Sequence, residues 1–187
     1  MRVVGKIFPD FWDCGQVIHG EFKKLTASVG HDFDSFQKIL DFGCGCGRVI
    51  QALGHPGRFY GLFGTDIDKE AIQWCRSNLG DVADFDFNDD LPPMRYENNA
   101  FDFIYSVSVF THLPEELQFA WLSELRRILR PGGLLLATVQ GPWFHAKITK
   151  EVRPFLDERG FLYAVDNPTA GLPDYYQCTF HTHKYIM

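Results

Sequence analysis

A chain of 187 residues is long enough for one domain with a substantial core and cramped for two. Its formal net charge is −6 and its 18 Lys and Arg form no long run, so long-range attraction to nucleic acid or an anionic membrane is not supported; a small or neutral partner is the easier reading. No apolar run approaches the ~20 residues of a spanning helix and no charged-then-apolar leader opens the chain, which leads us to expect a cytoplasmic protein with no membrane association.

Five cysteines, Cys14, Cys44, Cys46, Cys75 and Cys178, do not look like a disulfide framework. Cys44-x-Cys46 lacks a second Cys/His pair at finger-like spacing, so no metal centre is expected. Eighteen Phe suggest a bulky aromatic interior or an aromatic-lined pocket.

In chain order, residues 11–29 form a helix with Phe11, Val17, Ile18, Phe22, Leu25 and Val29 roughly on one face, ended by Gly30. A first strand covers 38–42, a helix 48–53, and a second strand 59–65, ending at Asp66-Ile67-Asp68. Asp68 caps a helix over 69–79 that turns Ala71, Ile72 and Cys75 inward. A third strand covers 82–87, a loop 88–93, and a fourth strand 101–107, a short apolar run suited to burial on both faces. Pro114 stands near the start of a helix over 115–129; Arg130-Pro131-Gly132-Gly133 stops that helix and turns into a fifth strand over 134–139. A helix over 144–158 follows, and the remainder reads as loop. Alternating strands and helices imply a parallel sheet covered on both faces, with ligands bound at the strands' carboxyl ends where strand order reverses.

Ile39-Leu40-Asp41-Phe42-Gly43-Cys44-Gly45-Cys46-Gly47-Arg48 carries the most information. A buried strand ends in an acid, every second residue is then glycine, and a helix begins. Such a turn lets a ligand lie against the main chain with the helix amides facing it. The spacing is G-x-G-x-G rather than the G-x-G-x-x-G of dinucleotide folds, which disfavours a nicotinamide-dependent oxidoreductase. The run resembles the first motif of class I S-adenosylmethionine (SAM) dependent methyltransferases. Phe101 to Leu113 resembles that family's fourth strand and following loop, and Arg130-Pro131-Gly132-Gly133-Leu134-Leu135-Leu136 its connection into the fifth. The likeness spans about Lys38 to Thr138, with the elements in order.

The resemblance implies a three-layer α/β/α, doubly wound, mostly parallel Rossmann-like sheet. It implies SAM as methyl donor, S-adenosylhomocysteine (SAH) as product, and a small-molecule acceptor methylated at oxygen, nitrogen or carbon. It implies cofactor-binding roles for Asp41, for the turn glycines Gly43, Gly45 and Gly47, for Asp66 on the ribose hydroxyls and Ile67 against the adenine. Asn88 or Asp89 would meet the adenine amino edge, and Ser106 and Val107 would lie along the methionine portion. Asp102 starts its strand at the far end from this crevice and reads as structural. A base, where the acceptor needs one, would come from His112 or His145, with His181 and His183 in a tail of unfixed position. Trp143, Tyr175 and Tyr176 are candidate acceptor-site aromatics.

The whole chain reads as a single domain: a helical cap over 1–37, a cofactor-binding core over 38–140, and a short acceptor region over 141–187. After the fifth strand there is room for one more strand but hardly for the family's usual additional pair. The fifth strand would then be an exposed apolar edge, through which a homodimer is expected. A SAM-binding regulatory or partner-binding module without catalysis is the alternative to an enzyme.

Overall fold

The computed structural model describes residues 11–54, 61–142, 144, 148–164 and 173–187. Five strands, β1 (Lys38–Phe42), β2 (Gly61–Asp66), β3 (Asp84–Phe87), β4 (Phe101–Ser106) and β5 (Leu129–Ala137), form one parallel sheet in the order β3-β2-β1-β4-β5. Strand order reverses beside β1, which pairs with β2 through Ile39–Leu62 and with β4 through Ile39–Phe103. The carboxyl end of β1 is therefore the switch point where an open α/β sheet leaves a crevice.

Alternation along the strands divides the core between two faces. Ile39, Phe103 and Tyr105 face a cluster with Phe22, Ile50, Leu53, Ile72 and Cys75, contributed by α1 (Phe11–Ser28), α2 (Arg48–Leu53) and α3 (Lys69–Asn78). Leu40, Phe42 and Ile104 face Trp121, Leu125 and Ile128 of α4 (Glu115–Ile128). The expected aromatic interior is concentrated around Phe103, whose ring lies 5.9, 5.5 and 4.9 Å from those of Phe22, Phe33 and Phe36.

The buried stripe of α1 differs from the expected one. Gly15, His19, Phe22 and Thr26 face inward, whereas Val17, Leu25 and Val29 are exposed. Close approach to α2 sets this rotation: a Cβ on Gly15 would stand 2.5 Å from the Arg48 carbonyl oxygen. Asp102 anchors the far edge of the sheet, accepting from the backbone N–H of Gln37 (2.7 Å) and Lys38 (2.9 Å).

Arg130-Pro131-Gly132-Gly133 is absorbed into β5 as an irregularity rather than preceding it. Phe101 pairs with Leu129 but Phe103 with Leu134, so the extra residues bulge out. The carboxyl-terminal part departs further from expectation. Among the described residues, the α-helix expected over 144–158 is present only as α5 (Arg153–Arg159), and in the remainder read as loop, with room for one strand, two strands form, β6 (Phe161–Ala164) and β7 (Cys178–His181). They pair antiparallel with each other as a separate ribbon, before a short α6 (His183–Ile186), so the central sheet keeps five strands.

β7 is fastened to the loop after β4. Thr179 N–H donates to the Thr111 carbonyl (2.9 Å), Thr179 Oγ1 to the Phe110 carbonyl (2.8 Å), and His181 N–H to the Gln140 carbonyl (3.0 Å). Gln118 donates its amide to the Phe110 and Leu113 carbonyls, so its Oε1 accepts from His181 Nε2 at 2.9 Å. Burial, against a smaller opposing pull from Glu115, lowers the His181 pKa to about 4. The folded chain thus binds fewer protons here than the unfolded chain between pH 6.5 and 4. The stability tied to neutral His181 is complete above that window and lost as pH falls through it. Urea unfolding at pH 7 and 5 should show the wild type losing about 2 kcal/mol more than His181→Gln, which keeps a donor toward Gln118 but cannot titrate. Equal losses would contradict a neutral buried imidazole.

Candidate active site

At the carboxyl end of β1 the chain reverses through three glycines with positive φ: 85° at Gly43, 53° at Gly45 and 74° at Gly47, the last being the N-cap of α2. Gly43 and Cys44 N–H both donate to the Thr65 carbonyl (2.8 and 2.9 Å). Gly45 N–H donates to Asp66 Oδ2 (2.7 Å), and Asp66 Oδ1 accepts from Asp68 N–H (2.8 Å). Asp66 therefore ties the glycine turn to the end of β2, and burial raises its pKa against the pull of these amides. Asp68 caps α3 as expected, accepting from Glu70 and Ala71 N–H.

Six of the expected cofactor residues, Gly43, Gly45, Asp66, Ile67, Asn88 and Val107, line one cavity. Four do not. Asp41 is buried beside Tyr105, and its pKa is pushed up to about 8, chiefly by burial; the Tyr105 hydroxyl opposes the rise and the Asp66 charge adds to it. Gly47 turns toward Leu79 and Cys75, Asp89 is exposed, and Ser106 is fully buried at the end of β4. Between Asn88 and Asp89, then, it is Asn88 that reaches the cavity. Its Nδ2 donates to the Asp89 carbonyl (3.0 Å), which fixes the amide orientation, and its buried Oδ1 has no hydrogen-bond partner.

Beyond these residues, Ser108, Tyr175 and Tyr176 also line the cavity. Ser108 has φ 66°, a conformation that non-glycine residues rarely adopt, and its N–H donates to Thr138 Oγ1 (2.7 Å). Nothing in its sequence context signals this. Burial and the Asp90 charge raise the Tyr175 hydroxyl above its usual pKa, and Tyr176 stacks on His112 with ring centroids 4.2 Å apart.

His112 is held from two sides. Its carbonyl accepts from Gln177 N–H (3.1 Å), and its Nδ1 lies 2.9 Å from the Gln177 carbonyl. A carbonyl only accepts, so Nδ1 carries the proton and Nε2 presents its lone pair. Burial lowers the His112 pKa, against the pull of that carbonyl, and so favours this neutral tautomer. Nε2 stands 3.4 Å from Ser108 Oγ, and both residues line this cavity and a second, adjoining one. Of the other histidines, His181 is committed to Gln118, His183 begins α6 on the surface, and His145 and Trp143 lie outside the described residues.

A family model described as "Methyltransferase domain" matches residues 40–137, more than half of the chain. The chain belongs to the class I SAM-dependent methyltransferases. This methyltransferase-family chain is 29% identical over 119 residues to the methyltransferase GfsG of Streptomyces halstedii, covering 61% of this chain and 39% of that protein. It is 31% identical over 133 residues to thiocyanate methyltransferase 1 of Brassica oleracea, covering 67% and 54%. The chain thus spans about half or less of the length of these relatives. The crystal structure of the PH0226 protein from Pyrococcus horikoshii OT3 superposes with a TM-score of 0.56 at 22% identity, over 81% of this chain and 69% of that one, a likeness of fold alone. The matched segment ends where the resemblance read from the sequence ends, at β5.

Proposed function

We propose that this chain binds SAM in the cavity at the carboxyl ends of β1 to β4 and transfers its methyl group to a small-molecule acceptor by in-line displacement. The observation that carries the reading is the shared lining of one cavity by the glycine turn at Gly43 and Gly45, by Asp66 and Ile67 after β2, and by Asn88 after β3, at the point where strand order reverses. Asn88 would meet the adenine edge there. In the same frame Asp66, with lone pairs beyond those used by Gly45 and Asp68, accepts from the ribose hydroxyls, and Ile67 packs against the base. Val107, Ser108 and the turn backbone flank the methionine portion.

The bound donor supplies an electrophilic methyl group on a sulfonium, which leaves alignment, water exclusion and proton acceptance to the protein. Tyr175, Tyr176 and Trp121 close one side of the cavity with aromatic surface, and His112 offers the base at its junction with the second cavity. A small acceptor agrees with the acidic balance of the chain, and the Brassica relative is named for thiocyanate. Calorimetric titration with SAM, SAH and NAD tests the reading. Micromolar binding of the two sulfur ligands with none of NAD is expected, and failure of SAM and SAH to bind would overturn it.

A further inference from the structure

The second cavity, of about 910 Å³, opens from the cofactor cavity at Ser108 and His112. That volume is within the range of small-molecule sites. Its walls come from the end of β5, the start of α5 and the β6–β7 ribbon, with Val139, Val152, Leu162 and Phe180 among them. Among the described lining residues there is no Asp, Glu, Lys or Arg. A charged acceptor entering such a chamber gives up hydration and meets no counter-charge from these described residues, so its burial beside them is penalised. Apolar surface, by contrast, gains by leaving water.

Polar groups also line the chamber, among them Thr111, Gln140, Thr149 and Tyr163. Tyr163, further in, already donates its hydroxyl to the Tyr175 carbonyl (2.9 Å). Thr138 Oγ1 is engaged by Ser108 N–H. His112 is oriented by Gln177 and stacked by Tyr176, and its Nε2, 3.4 Å from the Ser108 hydroxyl, lies where the two cavities meet. A carboxylate acceptor needs no base and brings a charge the wall does not balance. A hydroxyl is neutral and must shed its proton as it becomes an ether. A phenolic hydroxyl, with a pKa of about 10, is within reach of an imidazole base.

We propose that this chamber takes an uncharged, largely hydrocarbon acceptor bearing a phenolic hydroxyl, presented through the Ser108–His112 window so that His112 Nε2 receives the hydroxyl proton. The inference rests on the methyltransferase reading above. As the acceptor oxygen forms its bond to the methyl carbon, the carbon–sulfur bond breaks with its electron pair left on sulfur, and the proton moves to Nε2. The imidazolium then returns its proton to solvent.

The probes are para-hexylphenol, para-hexylbenzoate and hexylbenzene, titrated calorimetrically into the SAH-loaded full chain and assayed with SAM for SAH release. The phenol should bind about tenfold or more tighter than the benzoate and be the compound turned over. His112→Asn keeps a donor toward the Gln177 carbonyl but has no Nε2 lone pair. It should lower kcat on the phenol about 100-fold or more while SAM still binds. Leu162→Trp, which fills the chamber away from the window, should raise KM for the phenol about tenfold or more. If SAM binds but the benzoate binds as well as the phenol, or His112→Asn turns over at the wild-type rate, the inference fails and the cofactor reading stands. If SAM itself does not bind, both fail.

Discussion

Replacing Asp66 by alanine is expected to weaken SAM binding about 100-fold, corresponding to about 3 kcal/mol from two lost hydrogen bonds to a carboxylate. The structure adds a second consequence. Gly45 and Asp68 N–H both lose their acceptor, so the glycine turn beside it loosens as well. Asp66→Asn is not a conservative rescue. Both carboxylate oxygens face N–H donors, so one of those donors would confront the new amide NH₂. Calorimetry gives the affinity, and a thermal melt separates binding from folding. Unchanged affinity in a folded Asp66→Ala protein would remove Asp66 from the site.

Most of the central sheet was legible because its signals are local. β1 and α2 match their expected bounds, since an apolar run ending at a glycine turn and a helix starting just past it leave little freedom. Asp68 as a cap and Asp102 as a structural residue were readable from their places at the ends of elements. The face of α1 was not, because it is set by what approaches it. Gly15 admits the α2 backbone, and the inward His19 and Thr26 do not look apolar in sequence. The β6–β7 ribbon was illegible for a related reason. Its residues reach their strand conformation through bonds to Thr111, Gln140 and His112, tens of residues away in sequence.

The candidate site divides in the same way. The glycine turn, Asp66 and Ile67 follow from spacing along consecutive elements. The choice of Asn88 over Asp89 needs the direction of one side chain, and Ser108 needs a backbone conformation its residue type does not advertise. The orientation of His112 depends wholly on Gln177, 65 positions further on. The proposed cofactor side is thus encoded locally, whereas the proposed acceptor side is assembled from distant segments.

Gly43→Ala should test how rigidly the local part is built. At φ 85° an alanine costs about 1–2 kcal/mol in backbone strain alone. Its Cβ would also stand 2.1 Å from Val109 Cγ2, an overlap that forces the loop after β4 away from the turn. Together these should destabilise the protein by about 3 kcal/mol and abolish measurable SAM binding, since Gly43, Val107, Ser108 and Val109 share the cavity wall. Adding Val109→Ala removes the clashing methyl but not the strain. In urea unfolding the double variant should therefore regain about 1–2 kcal/mol relative to the sum of the single changes. A Gly43→Ala protein with wild-type stability and affinity would mean that the turn can relax away from β4, and the cavity would then not be the preorganised cradle its hydrogen bonds describe. A double variant showing no coupling would place the whole cost in the backbone, leaving Val109 free to move without disturbing the wall.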